Sequence, residues 1–247
     1  NREETEEYHA LLDKIKPKKT SDDCYTPEEV YNAIRDWAIN YYHLEGRTIM
    51  RPFYPGGDYQ AVHYTPDAVV LDNPPFSLLS EILDFYLAHD VKFFLFAPGL
   101  VVFNYLNRDN VCCVVTGSHV VYANGADVNT GFVTNLSDLR VDISPELSQI
   151  IAKASKRGGR CQTKYVYPDA VLTSAKAGWL ANHGQSLQIK KIESVVVKAL
   201  DSQKQVGKGL YGAGLLLGKS AIAAKIAAEV RANKEVEISA HERAQKI

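Results

Sequence analysis

Two consecutive prolines close the run Ala68-Val-Val-Leu-Asp-Asn-Pro-Pro-Phe-Ser77, and they restrict the backbone there more than any other feature of the chain. Each proline fixes φ at about −65° and lacks an N–H, so a β-ladder entering at Ala68 has to stop at Pro74. Asn73, as the residue before a proline, is confined to extended conformations. The stretch Ala68 to Leu71 is uniformly apolar, as in a strand covered on both faces. From Ser77 to His89, the residues Leu78, Ile82, Leu83, Phe85 and Tyr86 recur at helical spacing. A buried strand, a rigid turn and a helix form the repeating unit of an α/β sheet. Such sheets bind ligands outside the carboxyl ends of their strands. This turn offers the Asn73 side-chain oxygen and the Pro74 carbonyl as acceptors, with the Phe76 ring as a stacking surface. Two acceptors beside an aromatic plane suit a planar amine.

The flanking segments extend this pattern. Tyr25-Thr26-Pro27-Glu28-Glu29 has the residues of a helix start, with Thr26 as N-cap, Pro27 at the first helical position and Glu29 completing a capping box. Val30, Ile34, Trp37, Ala38 and Tyr41 then give the helix an apolar stripe. Arg47 to Arg51 reads as a short strand, broken at Pro52-Phe53-Tyr54-Pro55-Gly56-Gly57-Asp58, where the glycines let a backbone approach a ligand closely. Lys92 to Ala97 is a continuous apolar strand. Val111–Val115 and His119–Tyr122 are read as two further strands, and Asn124-Gly125 as the turn before Gly131–Thr134. An antiparallel hairpin is therefore expected at the end of a mostly parallel sheet. Beyond Ser155 the pattern changes: candidate strands lie in 165–172 and 187–197, a glycine-rich turn in 207–218, and an alanine-rich helix from Lys219 to Lys234.

Asn73-Pro74-Pro75-Phe76 resembles the motif of methyltransferases that transfer a methyl group from S-adenosylmethionine to an amine, above all the N6-adenine DNA methyltransferases. Arg51-Pro52-Phe53-Tyr54-Pro55-Gly56-Gly57-Asp58 is similar to a modified form of that family's cofactor-holding turn, with Arg51 where the family carries an acid. Tyr25-Thr26-Pro27 resembles the element preceding the first strand, which lines the cofactor pocket. The three matches fall in the family's order over about residues 24–136, closest to small phage-type and restriction-modification enzymes. The resemblance implies a reduced Rossmann-like sheet, because few residues separate Asp58 from Asp72. It implies a catalytic corner of Asn73, Pro74, Pro75 and Phe76. The cofactor site would draw on Tyr25, Thr26, Pro27, Pro52, Phe53, Gly56, Gly57, Asp58 and Asp72. It further implies DNA as partner, with the target adenine flipped out of the duplex onto Phe76. RNA adenine, cytosine N4, protein glutamine, or a silent DNA- or partner-binding relic are the alternatives. The expected organisation is a charged lead-in (1–23), a catalytic core (24–154) and an α+β extension (155–247) that packs on the core or reads DNA.

Composition sets outer limits. A chain of 247 residues, 46% hydrophobic and 23% charged, has the balance of a water-soluble globular protein. It contains no apolar run of membrane-spanning length, and the acidic start Asn1 to Glu7 is unlike a secretion signal. Cys24, Cys112, Cys113 and Cys161 lack metal-ligand spacing and read as reduced thiols of a cytoplasmic protein. The net charge of −1 is unlike that of a typical nucleic-acid binder, yet the cations cluster. Lys14 to Lys19, Lys153 to Lys164 and Lys190 to Lys208 each hold a basic group able to meet phosphate. Ala213 to Ser220 fits a relaxed phosphate-loop pattern, but polar residues precede it where a buried strand is required, so a plain glycine-rich turn is expected.

Overall fold

A computed structural model describes residues 26–53, 57–122, 125–155, 167–204, 209–210 and 212–244. Helix α1 (Glu28–Tyr42) leads to β1 (Thr48–Met50), followed by β2 (Ala68–Asp72), α2 (Leu79–Ala88) and β3 (Lys92–Pro98). After the 3₁₀ segment Gly99–Asn107 come β4 (Cys112–Val121), β5 (Asp127–Thr134), β6 (Leu139–Ile143) and α3 (Pro145–Ser155). The C-terminal portion supplies β7 (Val171–Thr173), α4 (Ser174–Asn182), β8 (Leu187–Lys190), β9 (Ser194–Val197), α5 (Asp201–Lys204), β10 (Gly214–Leu217) and α6 (Lys219–Ala244).

Seven strands form one mixed sheet in the order β1-β2-β3-β5-β4-β6-β8. β1, β2 and β3 pair in parallel, as do β4 and β6, while β5 and β8 run antiparallel to their neighbours. The fold is therefore α/β, with most strands pointing one way. The hairpin β4–β5 does not end the sheet as expected. It sits in the middle, with β5 inserted between β3 and β4, and β6 and β8 extend the sheet beyond it. β8 comes from the segment read as an extension. Its alternation of buried Leu187 and Ile189 with exposed Gln188 and Lys190 seats it on the edge of β6.

Both sheet faces are covered, which explains the unbroken apolar sequence of β3. Phe94 and Phe96 pack with Val30, Ile34 and Trp37 of α1 and Leu147 of α3, whereas Phe93 and Leu95 face Leu79, Ile82 and Tyr86 of α2. Tyr41 ties α1 to the sheet by donating to Asp142 Oδ2 at 2.7 Å and accepting from Gln188 Nε2 at 3.2 Å. Asp142 is only 3% exposed, and burial raises its pKa against the opposing pull of Tyr41 and Gln188. A carboxyl whose folded pKa is raised binds its proton more tightly in the native state. Its contribution to stability is then present at low pH and fades as pH rises from the ordinary carboxylate value through the raised one. Asp142→Asn, which keeps an acceptor for Tyr41, is expected to flatten that decline in a series of melts from pH 3 to 8.

The two strands expected at Val111–Val115 and His119–Tyr122 form one strand with a bulge. The register with β5 shifts between Val114 and Ser118, and Gly117 in that interval has φ +64°. Gly117 also lies against α4: a Cβ there would come within 2.3 Å of the Gly178 carbonyl oxygen. Hydrogen bonds surround the contact. Asn182 Nδ2 donates to the Gly117 carbonyl at 3.0 Å, and the Ser118 and Ser148 hydroxyls meet at 2.9 Å.

β7, β10 and β9 form a second, antiparallel sheet. Gly214–Leu217, expected as a glycine-rich turn, is its central strand, so no phosphate-cradling loop forms there. The start of α1 also differs from expectation. Pro27 occupies the N-cap position, Thr26 makes no capping bond, and the helix begins at Glu28. Pro27 still closes the first turn through its carbonyl, which accepts from Tyr31 N at 2.9 Å. Among the described residues, no helix is long and apolar enough to cross a membrane, and no His, Cys, Asp or Glu group could hold a metal ion. Cys112 and Cys113 are buried free thiols. Burial pushes Cys112 up to about 12 and Cys113 well above its ordinary value, so both are kept as inert apolar side chains.

Candidate functional site

The carboxyl ends of β1 and β2 lie side by side, since the strands pair in parallel with Met50 opposite Val70. Each strand then turns through prolines: Pro52 after β1, Pro74 and Pro75 after β2. One carboxylate joins the two turns. Asp72 is 2% exposed; its Oδ2 accepts from Phe53 N at 2.9 Å, and its Oδ1 accepts from Asn73 N at 2.9 Å and Arg51 Nε at 3.4 Å. Burial raises the Asp72 pKa, while the Phe53 and Asn73 N–H groups and Arg51 pull it down. With both oxygens accepting from neighbours, Asp72 holds the frame of the site. A cofactor would meet the groups this frame positions.

Helix α1 closes the corner from the side. Tyr31, one turn into the helix, donates to the Leu71 carbonyl at 2.9 Å, and the Arg51 guanidinium carbon lies 3.6 Å from the centre of its ring. Burial pushes the Tyr31 phenol up to about 12 despite the nearby Arg51 charge, so it stays a neutral donor. Nothing in the sequence marks Tyr31 except its place in a helix. Its contact with Arg51 depends on the β1–β2 pairing, which single-residue patterns do not reveal.

Past β2, the chain turns tightly into α2. The carbonyls of Pro75 and Phe76 accept from Leu78 N and Leu79 N at 3.1 and 3.4 Å. Among the described residues, no backbone N–H donates to the Pro74 carbonyl. Pro74 is buried, Asn73 is half-buried with its Oδ1 shut off from solvent, and Phe76 is half-buried against the cluster beneath α1. The structure thus brings Asn73, Pro74, Pro75 and Phe76 into one turn, with Pro52, Phe53 and Asp72 joined to it.

The remaining candidates are more scattered. Tyr25 and Gly56 lie outside the described residues. Gly57 and Asp58 are exposed, and Asp58 uses its carboxylate on its own turn by accepting from Gln60 N at 2.9 Å. The loop beyond is pinned to α2 by aromatic contacts. Phe53 and Tyr59 sit 5.7 Å apart and both contact Tyr86, and the Tyr64 hydroxyl donates to the Tyr59 carbonyl at 2.7 Å. Thr26, at the foot of α1, has a buried hydroxyl with no hydrogen-bond partner among the described residues. Buried polar atoms ordinarily find partners, and this one has none among the described residues.

A separate groove of about 440 Å³ opens between α1 and α3, lined by Asp36, Trp37, Tyr41 and Glu146. It shares no residue with the corner. Comparison with protein-family models, curated proteins and solved structures gives no match for this chain.

Proposed function

We propose that the protein is an S-adenosylmethionine-dependent methyltransferase acting on the exocyclic amine of a nucleic-acid base, with adenine N6 in DNA as the preferred target. One observation carries the reading. The Pro52-Phe53 turn and the Asn73-Pro74-Pro75-Phe76 turn, similar respectively to a cofactor-holding turn and a catalytic motif, end adjacent parallel strands and are joined by Asp72. A mostly parallel sheet with an internal antiparallel strand agrees with a reduced Rossmann-like architecture. The unpartnered Thr26 hydroxyl gives the cofactor a fit at the foot of α1. Thr26, Pro52, Phe53 and Gly57 are the described residues that would hold it.

When bound, the cofactor supplies an electrophilic methyl group on a positively charged sulfur. The protein's part is orientation. Adenine's amine is a weak nucleophile because its lone pair is delocalised into the ring. Asn73 Oδ1 and the Pro74 carbonyl accept its two hydrogens and favour a pyramidal nitrogen with the lone pair directed outward. Orientation of this kind can contribute up to about 7–11 kcal/mol in ideal cases. Phe76 offers its ring to the flipped base, and such stacking returns about 1–3 kcal/mol. The nitrogen becomes acidic only as its new bond forms, so its proton passes to water and no strong protein base is required.

A second reading, a binding protein without transfer activity, is favoured by one feature: among the described residues, β1 is the outer edge of the sheet and no further strand walls the cofactor side. Labelled S-adenosylmethionine incubated with duplex DNA, followed by nucleoside analysis, separates the two. N6-methyladenine is the expected product. DNA left unmethylated by a protein that shows no heat of donor binding would end the methyltransferase reading.

A further inference from the structure

We propose that Arg51 is a carboxylate receptor that grips the amino-acid end of the methyl donor, an inference that rests on the methyltransferase reading. A guanidinium carries five N–H donors in a fixed fork, and here part of that fork is already committed. Nε lies 3.4 Å from Asp72 Oδ1, and the guanidinium carbon lies 3.6 Å from the centre of the Tyr31 ring. These two contacts restrict where the side chain can point. Its terminal nitrogens form no hydrogen bond among the described residues, and the side chain is 49% exposed at the carboxyl edge of β1. The result is a bidentate donor edge oriented before any ligand arrives, which lowers the entropy lost on binding.

The charge balance selects the ligand. Asp72 accepts at both oxygens from N–H donors, as an ionised carboxylate does, and sits directly behind Arg51. The pair together carries little net charge. A planar carboxylate matches the free edge in geometry, and as a monoanion it is repelled by Asp72 less than a phosphate dianion would be. Arg51 directly precedes the Pro52-Phe53 turn, so a carboxylate held there lies beside the residues assigned to the donor. The methionine portion of S-adenosylmethionine has such a group.

The test is a calorimetric titration of the full chain with S-adenosylhomocysteine and with its decarboxylated analogue. The wild-type protein is expected to bind the carboxylated ligand about 10–100-fold more tightly, as charge-assisted hydrogen bonds allow. Arg51→Met should remove that preference while leaving affinity for the decarboxylated analogue within about threefold, and Arg51→Lys should retain part of it. Equal wild-type affinity for both ligands overturns the inference without need of a variant. An equal loss for both ligands in Arg51→Met also overturns it, since that pattern assigns Arg51 to the frame alone. Failure of the wild-type protein to bind either ligand removes the donor reading itself, and this inference with it.

Discussion

Asn73→Ala is expected to lower the rate of methyl transfer by about 10²–10³-fold, the usual cost of deleting one preorganised polar contact to a developing charge. The alanine leaves the Pro74 carbonyl in place, so the amine loses one of two acceptors and the target base keeps its stacking partner. Donor affinity should change little, because Asn73 is not among the groups assigned to the donor. The fold should survive, since Asp72 receives the backbone N–H of residue 73, which the substitution preserves. Single-turnover rates on duplex DNA, read beside donor titrations, provide the check. A variant that keeps the wild-type rate would remove Asn73 from the chemistry. A variant that loses donor binding as well would move its role to cofactor binding.

Gly117→Ala is expected to produce the largest loss of stability. Residue 117 has φ +64°, where an alanine is strained, and its new methyl carbon would lie 2.3 Å from the Gly178 carbonyl oxygen and 2.7 Å from Gly178 Cα. The obstacle is backbone on a packed helix, so side-chain rotation gives no relief. Backbone strain and overpacking each contribute about 1–3 kcal/mol, for a combined cost of about 2–6 kcal/mol. In a chain of this size, that lowers the melting temperature by about 4–24 °C. The loss should be larger than for Gly46→Ala, where a positive φ of +80° occurs with no atom within 4 Å of the added carbon. Equal losses at the two sites would show that backbone conformation alone sets the cost and that the approach of α4 to β4 is unimportant.

The parts legible in the sequence are those whose signal is local. Ala68–Asp72 and Lys92–Pro98 appear as apolar runs because both their faces are covered, and α1 and α2 appear through their apolar stripes. The tight turn at Asn73-Pro74-Pro75-Phe76 follows directly from proline geometry. Illegible features were those determined by partners distant in sequence. Gly214–Leu217 resembles a loop until β7 and β9 supply a ladder on each side. Gly117 suggests a break between strands, whereas pairing with β5 on both sides of the bulge keeps the strand whole. Thr26 has the chemistry of an N-cap, yet the helix starts one residue later and the hydroxyl makes no capping bond. The Arg51–Tyr31–Asp72 arrangement joins three segments, and only the parallel pairing of β1 with β2 brings them together.

The position of β8 has a consequence for biosynthesis. Leu187–Lys190 covers the rim of β6, whereas β1 to β6 are all made before residue 144. A nascent chain emerging amino end first would therefore expose the unpaired backbone of β6 until more than forty further residues had left the ribosome, as the interval between Ile143 and Leu187 sets. During that interval the growing sheet offers a ready template for strands of other chains. Late arrival of its own sealing strand makes chaperone protection during translation more important for this protein than a sheet finished in sequence order would require.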